Sequence, residues 1–114
     1  MIRVSLLLVL ACVLGGCKSV PPPTPLEQLN AQQAHGHTVF QVHCSVCHYD
    51  RQTGALHGPS LLGVMKKSSL PSGAAATDER VTGTILNGHG LMPGMGNTMD
   101  PQDVADVVAY LHTL

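Results

Sequence analysis

The run Cys44-Ser45-Val46-Cys47-His48 constrains the fold of this chain more than any other feature of its sequence. A C-x-x-C pair by itself is compatible with a dithiol redox site or with half of a zinc site. A dithiol redox site normally follows a β-strand, and no alternating strand pattern precedes this pair. Zinc would need two further ligands at finger-like spacing, and the other cysteines and histidines do not supply them. The interpretation therefore depends on the histidine that directly follows the pair.

Two cysteines three residues apart lie on one side of a helical turn, where both can form thioethers to the vinyl groups of one haem. The histidine that comes next then directs its imidazole towards the iron. We therefore predict that Cys44 and Cys47 attach one haem c covalently and that His48 is a ligand of its iron.

A bound cofactor would also explain how so short a chain fills its core. The 114 residues leave room for one domain, and only Phe40, Tyr49 and Tyr110 are aromatic. Small domains with few large side chains commonly depend on a disulfide, a metal or a cofactor. The chain has six lysines and arginines against seven acidic residues, so it has no excess of positive charge. No nucleic-acid partner is therefore expected.

The N-terminus has the pattern of an exported lipoprotein. Arg3 precedes the apolar run VSLLLVLACVLGG, which is long enough for a signal peptide but short for a membrane span. The run ends in LGGC, which resembles the lipobox of bacterial lipoproteins, where the cysteine is lipidated and becomes the first residue after cleavage. We therefore assign residues 1–16 to a signal peptide and expect a lipid on Cys17. The alternative is an ordinary signal peptide with an incidental cysteine.

The segment after this cysteine, KSVPPPTP, is proline-rich and should be extended and semi-rigid, with a span of roughly 25 Å. Residues 17–34 are thus predicted to be a lipidated cysteine followed by a tether, and residues 35–114 to be the folded domain. Such a spacer would hold the domain just above a membrane.

Three helices and no strands are predicted in the folded domain, so the fold class is all-α. The last helix starts after the N-cap Asp100 and carries an apolar stripe with helical spacing. A second helix covers 78–87 and a third covers about 36–47. Residues 52–77 are rich in glycine, proline and serine, and they should form mostly loop.

Four landmarks in register with the haem motif resemble the class I c-type cytochromes over residues 35–114. They are G-x-x-x-F-x-x-x-C-x-x-C-H from Gly36, G-P-x-L-x-G from Gly58, I-L-x-G followed by M-P from Ile85, and V-A-Y-L from Val108. The resemblance implies a small cytochrome c fold, with three to four helices and long loops wrapped around one covalent haem. Gly36 would let the first and last helices approach closely, because it places no Cβ between them. Phe40 and Tyr110 would pack at that crossing.

Pro59 and Met92 complete the haem site that this resemblance implies. The carbonyl of Pro59 would accept a hydrogen bond from His48 Nδ1, which leaves Nε2 for the iron. Met92 stands at the family's M-P position, where its thioether would be the sixth iron ligand and would raise the reduction potential. Met95 would then pack and Met99 would fill space near the last helix. The candidates for the apolar haem wall are Leu61, Val64, Ile85 and Leu86.

The stretch HGLMPGMGNTM, residues 89–99, also allows three other interpretations. Met95 could be the axial ligand instead of Met92. Met92, Met95 and His89 could bind Cu(I), which prefers thioether and imidazole ligands. A haem with two histidine ligands, His48 and His89, would require a different loop. No motif supports a ligand role for the remaining histidines, which are expected at the surface: His35, His37, His43, His57 and His112.

The sequence as a whole predicts a membrane-tethered, extracytoplasmic monohaem cytochrome c that transfers single electrons between redox partner proteins and is not an enzyme. The lipid on Cys17 would anchor it at the periplasmic side of a bacterial membrane or at the cell surface, as a monomer or as a subunit of a larger complex. One alternative is an electron-relay subunit of a dehydrogenase or reductase complex. Another is a five-coordinate haem that senses a gas.

Overall fold

The computed structural model describes residue 16 and residues 19–114 of the chain. The predicted signal peptide, apart from its last residue, and the lipobox residue Cys17 lie outside the described residues. Within the described part, no helix combines the length and the apolar character that a membrane crossing requires.

The described residues form three α-helices, α1 (Ala31–His43), α2 (Asp78–Asn87) and α3 (Pro101–Leu111), with short 3-10 helices at Leu26–Gln28 and Val64–Lys66. They contain no β-strand, only isolated bridges between loop residues. This architecture confirms the all-α prediction.

Local signals set where these helices begin. The side chain of Asp100 accepts a hydrogen bond from the main-chain N–H of Gln102 at the start of α3, and Thr77 caps α2 in the same way. Helix α1 begins at Ala31 because Asn30 and Gln33 form a capping box. The bounds predicted for this helix, 36–47, were therefore too late at both ends.

Helix α1 ends at His43, and the haem motif follows it as a turn. Cys44 is the C-cap, and its carbonyl accepts hydrogen bonds from the main-chain N–H groups of Cys47 (3.1 Å) and His48 (3.0 Å). The two cysteines thus lie on one tight turn rather than within the helix. This turn keeps the two cysteines close in space, as the predicted helical turn would have done.

The core forms where α1 packs across α3. A Cβ on Gly36 would overlap the main-chain carbonyl oxygen of Asp106 and approach Tyr110 Cβ to 2.9 Å, so only glycine allows this crossing. Phe40 and Tyr110 are buried there with their ring centroids 5.9 Å apart. The Tyr110 hydroxyl donates a 2.6 Å hydrogen bond to Asp50 Oδ2, which ties the loop after the haem motif to α3. The predicted close approach and aromatic packing are confirmed.

Candidate haem site

A cavity of about 790 Å³ opens beside the C-cap turn of α1, between α2, α3 and the loops 44–77 and 88–100. Cys44, Cys47, His48 and Met92 all line it. Most of its wall is aliphatic, with contributions from Leu61, Val64, Leu70, Ile85, Val107 and Leu111. Three of the four predicted wall residues are present, but Leu86 is exposed and does not line the cavity.

The imidazole of His48 is held in one orientation by the segment Gly58–Pro59. Its Nδ1 lies 2.7 Å from the carbonyl oxygen of Pro59. Because a carbonyl can only accept, Nδ1 carries the proton, and the lone pair of Nε2 is left free to bind a metal. Gly58 packs against the ring so closely that a Cβ there would lie 2.5 Å from Cε1. The main-chain N–H of Gly58 also donates to the carbonyl of Cys47, over 2.7 Å.

The two cysteines of the motif are partly buried and line the cavity. Burial, and to a smaller extent the neighbouring Cys47, raise the pKa of the Cys44 thiol to about 11. The apolar surroundings of Cys44 therefore disfavour a charged thiolate there.

Met92 is carried by a loop that the main chain itself holds in place. His89 and Met92 exchange two main-chain hydrogen bonds, of 3.1 and 2.9 Å. Further along, the N–H of Met95 donates to the carbonyl of Ile85 and that of Gly96 to the carbonyl of Leu86, so the loop folds back on the last turn of α2. The position of Met92 at the cavity therefore rests on main-chain bonds.

The other methionines of this stretch have different environments. Met95 is partly buried, packs against the core and also borders the cavity. Met99 is buried in the core and does not line the cavity. His89 borders the cavity beside Met92, so position alone does not separate the haem, copper and bis-histidine interpretations.

Several histidines predicted at the surface have specific contacts. His43 and His57 line the cavity, and His112 Nε2 lies 2.6 Å from Asp78 Oδ1. His35 Nδ1 lies 2.7 Å from Asp106 Oδ2. No local pattern marks the contacts of His35 and His112, because each joins segments that are distant in the chain.

The cavity fits a haem c. It offers the thiols of Cys44 and Cys47 on one turn, the unprotonated Nε2 of His48 and the thioether of Met92. Its aliphatic walls suit an apolar macrocycle. The volume of about 790 Å³ lies within the range of cofactor pockets, roughly 300–1,000 Å³.

Comparison with known proteins agrees with this fit. The family model described as "Cytochrome c" matches residues 33–114. Cytochrome c6 of Synechocystis sp. is 30% identical to this chain in an alignment that covers 73% of this chain and 66% of that protein. Cytochrome c2 of Rhodopila globiformis is 32% identical, over 84% of this chain and 98% of that protein. Cytochrome c6 of a Picosynechococcus species is 30% identical, over 71% of this chain and 72% of that protein.

Proposed function

We propose that this chain, which belongs to the cytochrome c family, is a single-electron carrier that a lipid on Cys17 holds at the periplasmic side of a bacterial membrane or at the cell surface. Its cofactor is one covalent haem c. One observation supports the carrier role above the others. His48, fixed by Pro59, and Met92, fixed by its loop, line the same apolar cavity.

Within this proposal the residues of the site have separate roles. Cys44 and Cys47 would hold the haem through thioethers, and His48 Nε2 and the sulfur of Met92 would bind its iron. The bound haem supplies the chemistry, which is the uptake and release of one electron. Pro59 acts through His48, because the hydrogen bond to Nδ1 fixes the tautomer and the ring orientation.

With both His48 and Met92 bound to the iron, no position would be open for a substrate, so we propose that the chain carries out no substrate chemistry. Because the Pro59 bond and the loop bonds around Met92 fix both ligands, little has to move when the charge of the site changes. A site that reorganises little suits rapid electron transfer to and from partner proteins.

Electrons would enter and leave at the rim of the cavity. Val46 and Leu91 border the cavity and are exposed to solvent. They lie on the two segments that would frame the haem edge, the turn 44–47 and the loop 91–96. Exposed apolar side chains around a small opening suit the limited, short-lived contacts of electron-transfer partners.

The ligand assignment is tested by replacing Met92 with Ala and Met95 with Ala in the oxidised holoprotein. We expect Met92→Ala to abolish the weak sulfur-to-iron charge-transfer band in the red and to lower the reduction potential, because thioether ligation raises it. Met95→Ala should keep both properties. Loss of the band only in Met95→Ala would move the axial ligand to that residue.

The carrier role is tested separately with carbon monoxide. A six-coordinate haem should show no prompt spectral change when CO is added to the reduced wild-type protein. A prompt change would contradict the proposed ligation and favour a gas sensor. Co-purification in fixed stoichiometry with a larger redox protein would favour a relay subunit over a free carrier.

A further inference from the structure

The proline-rich segment between the proposed anchor and the first helix lies against the domain. Both main-chain polar groups of Thr24 are used there. Its N–H donates to the carbonyl of Thr113, just after α3, over 2.7 Å. Its carbonyl accepts a 2.7 Å hydrogen bond from Nη2 of Arg51, in the loop after the haem motif.

A second contact lies four residues earlier in the chain. The side chain of Val20 packs against Gly63, where a Cβ would overlap Val20 Cγ1 and lie 3.4 Å from Cγ2. Gly63 directly precedes Val64, whose side chain is buried and lines the haem cavity. The segment thus leaves the domain beside one wall of the cofactor site.

These contacts suit a segment rich in proline. Pro21, Pro22, Pro23 and Pro25 restrict the main chain before it docks, so ordering the segment costs less conformational entropy than it would for other residues. The same prolines leave Thr24 with the only main-chain N–H between Val20 and Leu26, and that N–H is the one bound to Thr113.

We propose that residues 20–25 form a docked strap that holds the domain close to the lipid surface in one orientation, with the Gly63–Val64 wall of the haem cavity nearest the anchor. The orienting role rests on the lipid at Cys17 proposed above, whereas the docking does not. In this proposal, the segment that the sequence predicts to be a semi-rigid spacer of roughly 25 Å is docked on the domain over residues 20–25.

The number of residues between Cys17 and the first contact with the domain sets how far the domain can move from the anchor. If residues 20–25 are docked, three residue steps separate Cys17 from the first contact at Val20, which is about 10 Å when fully extended. If the segment were free as far as Asn30, thirteen steps would allow a reach of about 45 Å. Docking therefore confines the haem to a narrow range of heights above the membrane.

The docking is tested by a matched pair of substitutions at Thr24 in the full-length holoprotein. Thr24→Pro removes the N–H that binds Thr113, whereas Thr24→Ala keeps it. A nitroxide on Ser19→Cys reports the distance to the ferric haem by pulsed electron paramagnetic resonance. We expect a narrow distance distribution in the labelled parent protein, which keeps Thr24, and in Thr24→Ala. We expect a broad distribution in Thr24→Pro. A broad distribution in the parent, or identical distributions in the two variants, would overturn the docked strap.

A second measurement needs no variant and so does not depend on the folding of Thr24→Pro. In the unlabelled protein, hydrogen exchange at the Thr24 amide should be at least about tenfold slower than in an unstructured peptide of the same sequence. Exchange at the peptide rate would show that the bond to Thr113 does not persist in solution.

The orienting role is tested in phosphatidylcholine vesicles that carry a headgroup fluorophore, which the haem quenches over short distances. The parent and Thr24→Ala should quench more strongly than Thr24→Pro, whose tether reaches further. Equal quenching would overturn the orienting role. If mass spectrometry finds no acyl chain on Cys17, the proposed anchor fails and the orienting role fails with it. The distance and exchange measurements would still decide the docking.

Discussion

Single residues decide where this small domain can pack closely. Gly36 allows the main chain of α3 to touch α1, and Gly58 allows the segment before Pro59 to lie on the imidazole of His48. At both positions the neighbouring atoms leave no room for a methyl group. A chain with few large side chains gains contact area in this way, because main-chain approach substitutes for side-chain bulk.

Gly36→Ala should lower the free energy of unfolding of the holoprotein by about 1–3 kcal/mol or more. The added Cβ meets the main-chain carbonyl of Asp106, which cannot rotate away as a flexible side chain could. Gly83→Ala is the matched control, because Gly83 lies within α2 with open space around it and alanine favours helix by about 0.5–1 kcal/mol. Urea unfolding followed by circular dichroism measures both. A Gly36→Ala protein as stable as the parent would contradict the observed crossing.

At the scale of the elements, a polar cluster joins α1 to α3 beside the Gly36 contact. The buried carboxylate of Asp106 accepts hydrogen bonds from Gln32 (3.0 Å) and Gln102 (2.8 Å), and His35 Nδ1 lies 2.7 Å away. The bonds from Gln102 and then His35 hold the pKa of the Asp106 carboxyl below its usual value. The hydrogen bonds from Gln32 and His35 thus connect α1 to Asp106 of α3. They are polar contacts, and they add to the apolar packing between the two helices.

The lowered pKa predicts acid sensitivity at this crossing. Because the carboxyl binds protons less readily in the folded state than in the unfolded chain, where its pKa is about 3.9, its contribution is complete above that pH. The contribution is lost as the pH falls through the lower folded-state pKa. Asp106→Asn should therefore lower stability at neutral pH and weaken its decline in acid, in urea unfolding at a series of pH values.

Asp78→Asn is the control for that pH series, because the Asp78 side chain is two-thirds exposed and pairs with His112 at the surface. Exposed ion pairs contribute little to stability, so the acid dependence of this variant should stay close to that of the parent. Equal acid profiles for Asp106→Asn and the parent would argue against a role for the α1–α3 cluster.

At the scale of the whole molecule, the haem cavity lies where a larger protein would put side chains of its core. Its aliphatic wall comes from Val81 and Ile85 of α2, Val107 and Leu111 of α3, and Leu61, Val64 and Leu70 of the loop between α1 and α2. The aromatic pair Phe40 and Tyr110 at the α1–α3 crossing belongs to the same apolar cluster as these side chains, and Phe40 also lines the cavity. The apolar core and the cofactor site are therefore continuous.

Cys17→Ser should move the haem-containing protein from the membrane fraction to the soluble fraction without changing its visible spectrum, because the lipid site is distant in the chain from the haem motif. Absorption spectra of the two fractions, oxidised and reduced, measure the shift. Cys12→Ser is the matched control, since Cys12 lies in the proposed signal peptide and should leave the distribution unchanged. Membrane retention of Cys17→Ser would contradict lipid anchoring at this residue.

Local sequence determined the features of this protein that depend on neighbouring residues. The C-x-x-C-H run predicted the cofactor, and the cap Asp100 and the predicted start at residue 78 match the observed starts of α3 and α2. These signals work within a turn or two of helix, where spacing translates directly into geometry. The close crossing at Gly36 was implied by the resemblance to the c-type cytochromes. The start of α1 was missed because the capping box at Asn30 lies in a segment that reads as a tether.

Only the tertiary structure decided the contacts between distant segments. His35 and Asp106 are 71 residues apart in the chain, and nothing in either neighbourhood specifies the other. The bond from Thr24 to Thr113 is harder still to foresee, because it uses main-chain groups that every residue except proline carries in the same form. A periodic pattern shows which face of a helix is buried but not what covers it. The packing of the chain settles that, and here it bonds the main chain of Thr24 to Thr113 and to Arg51.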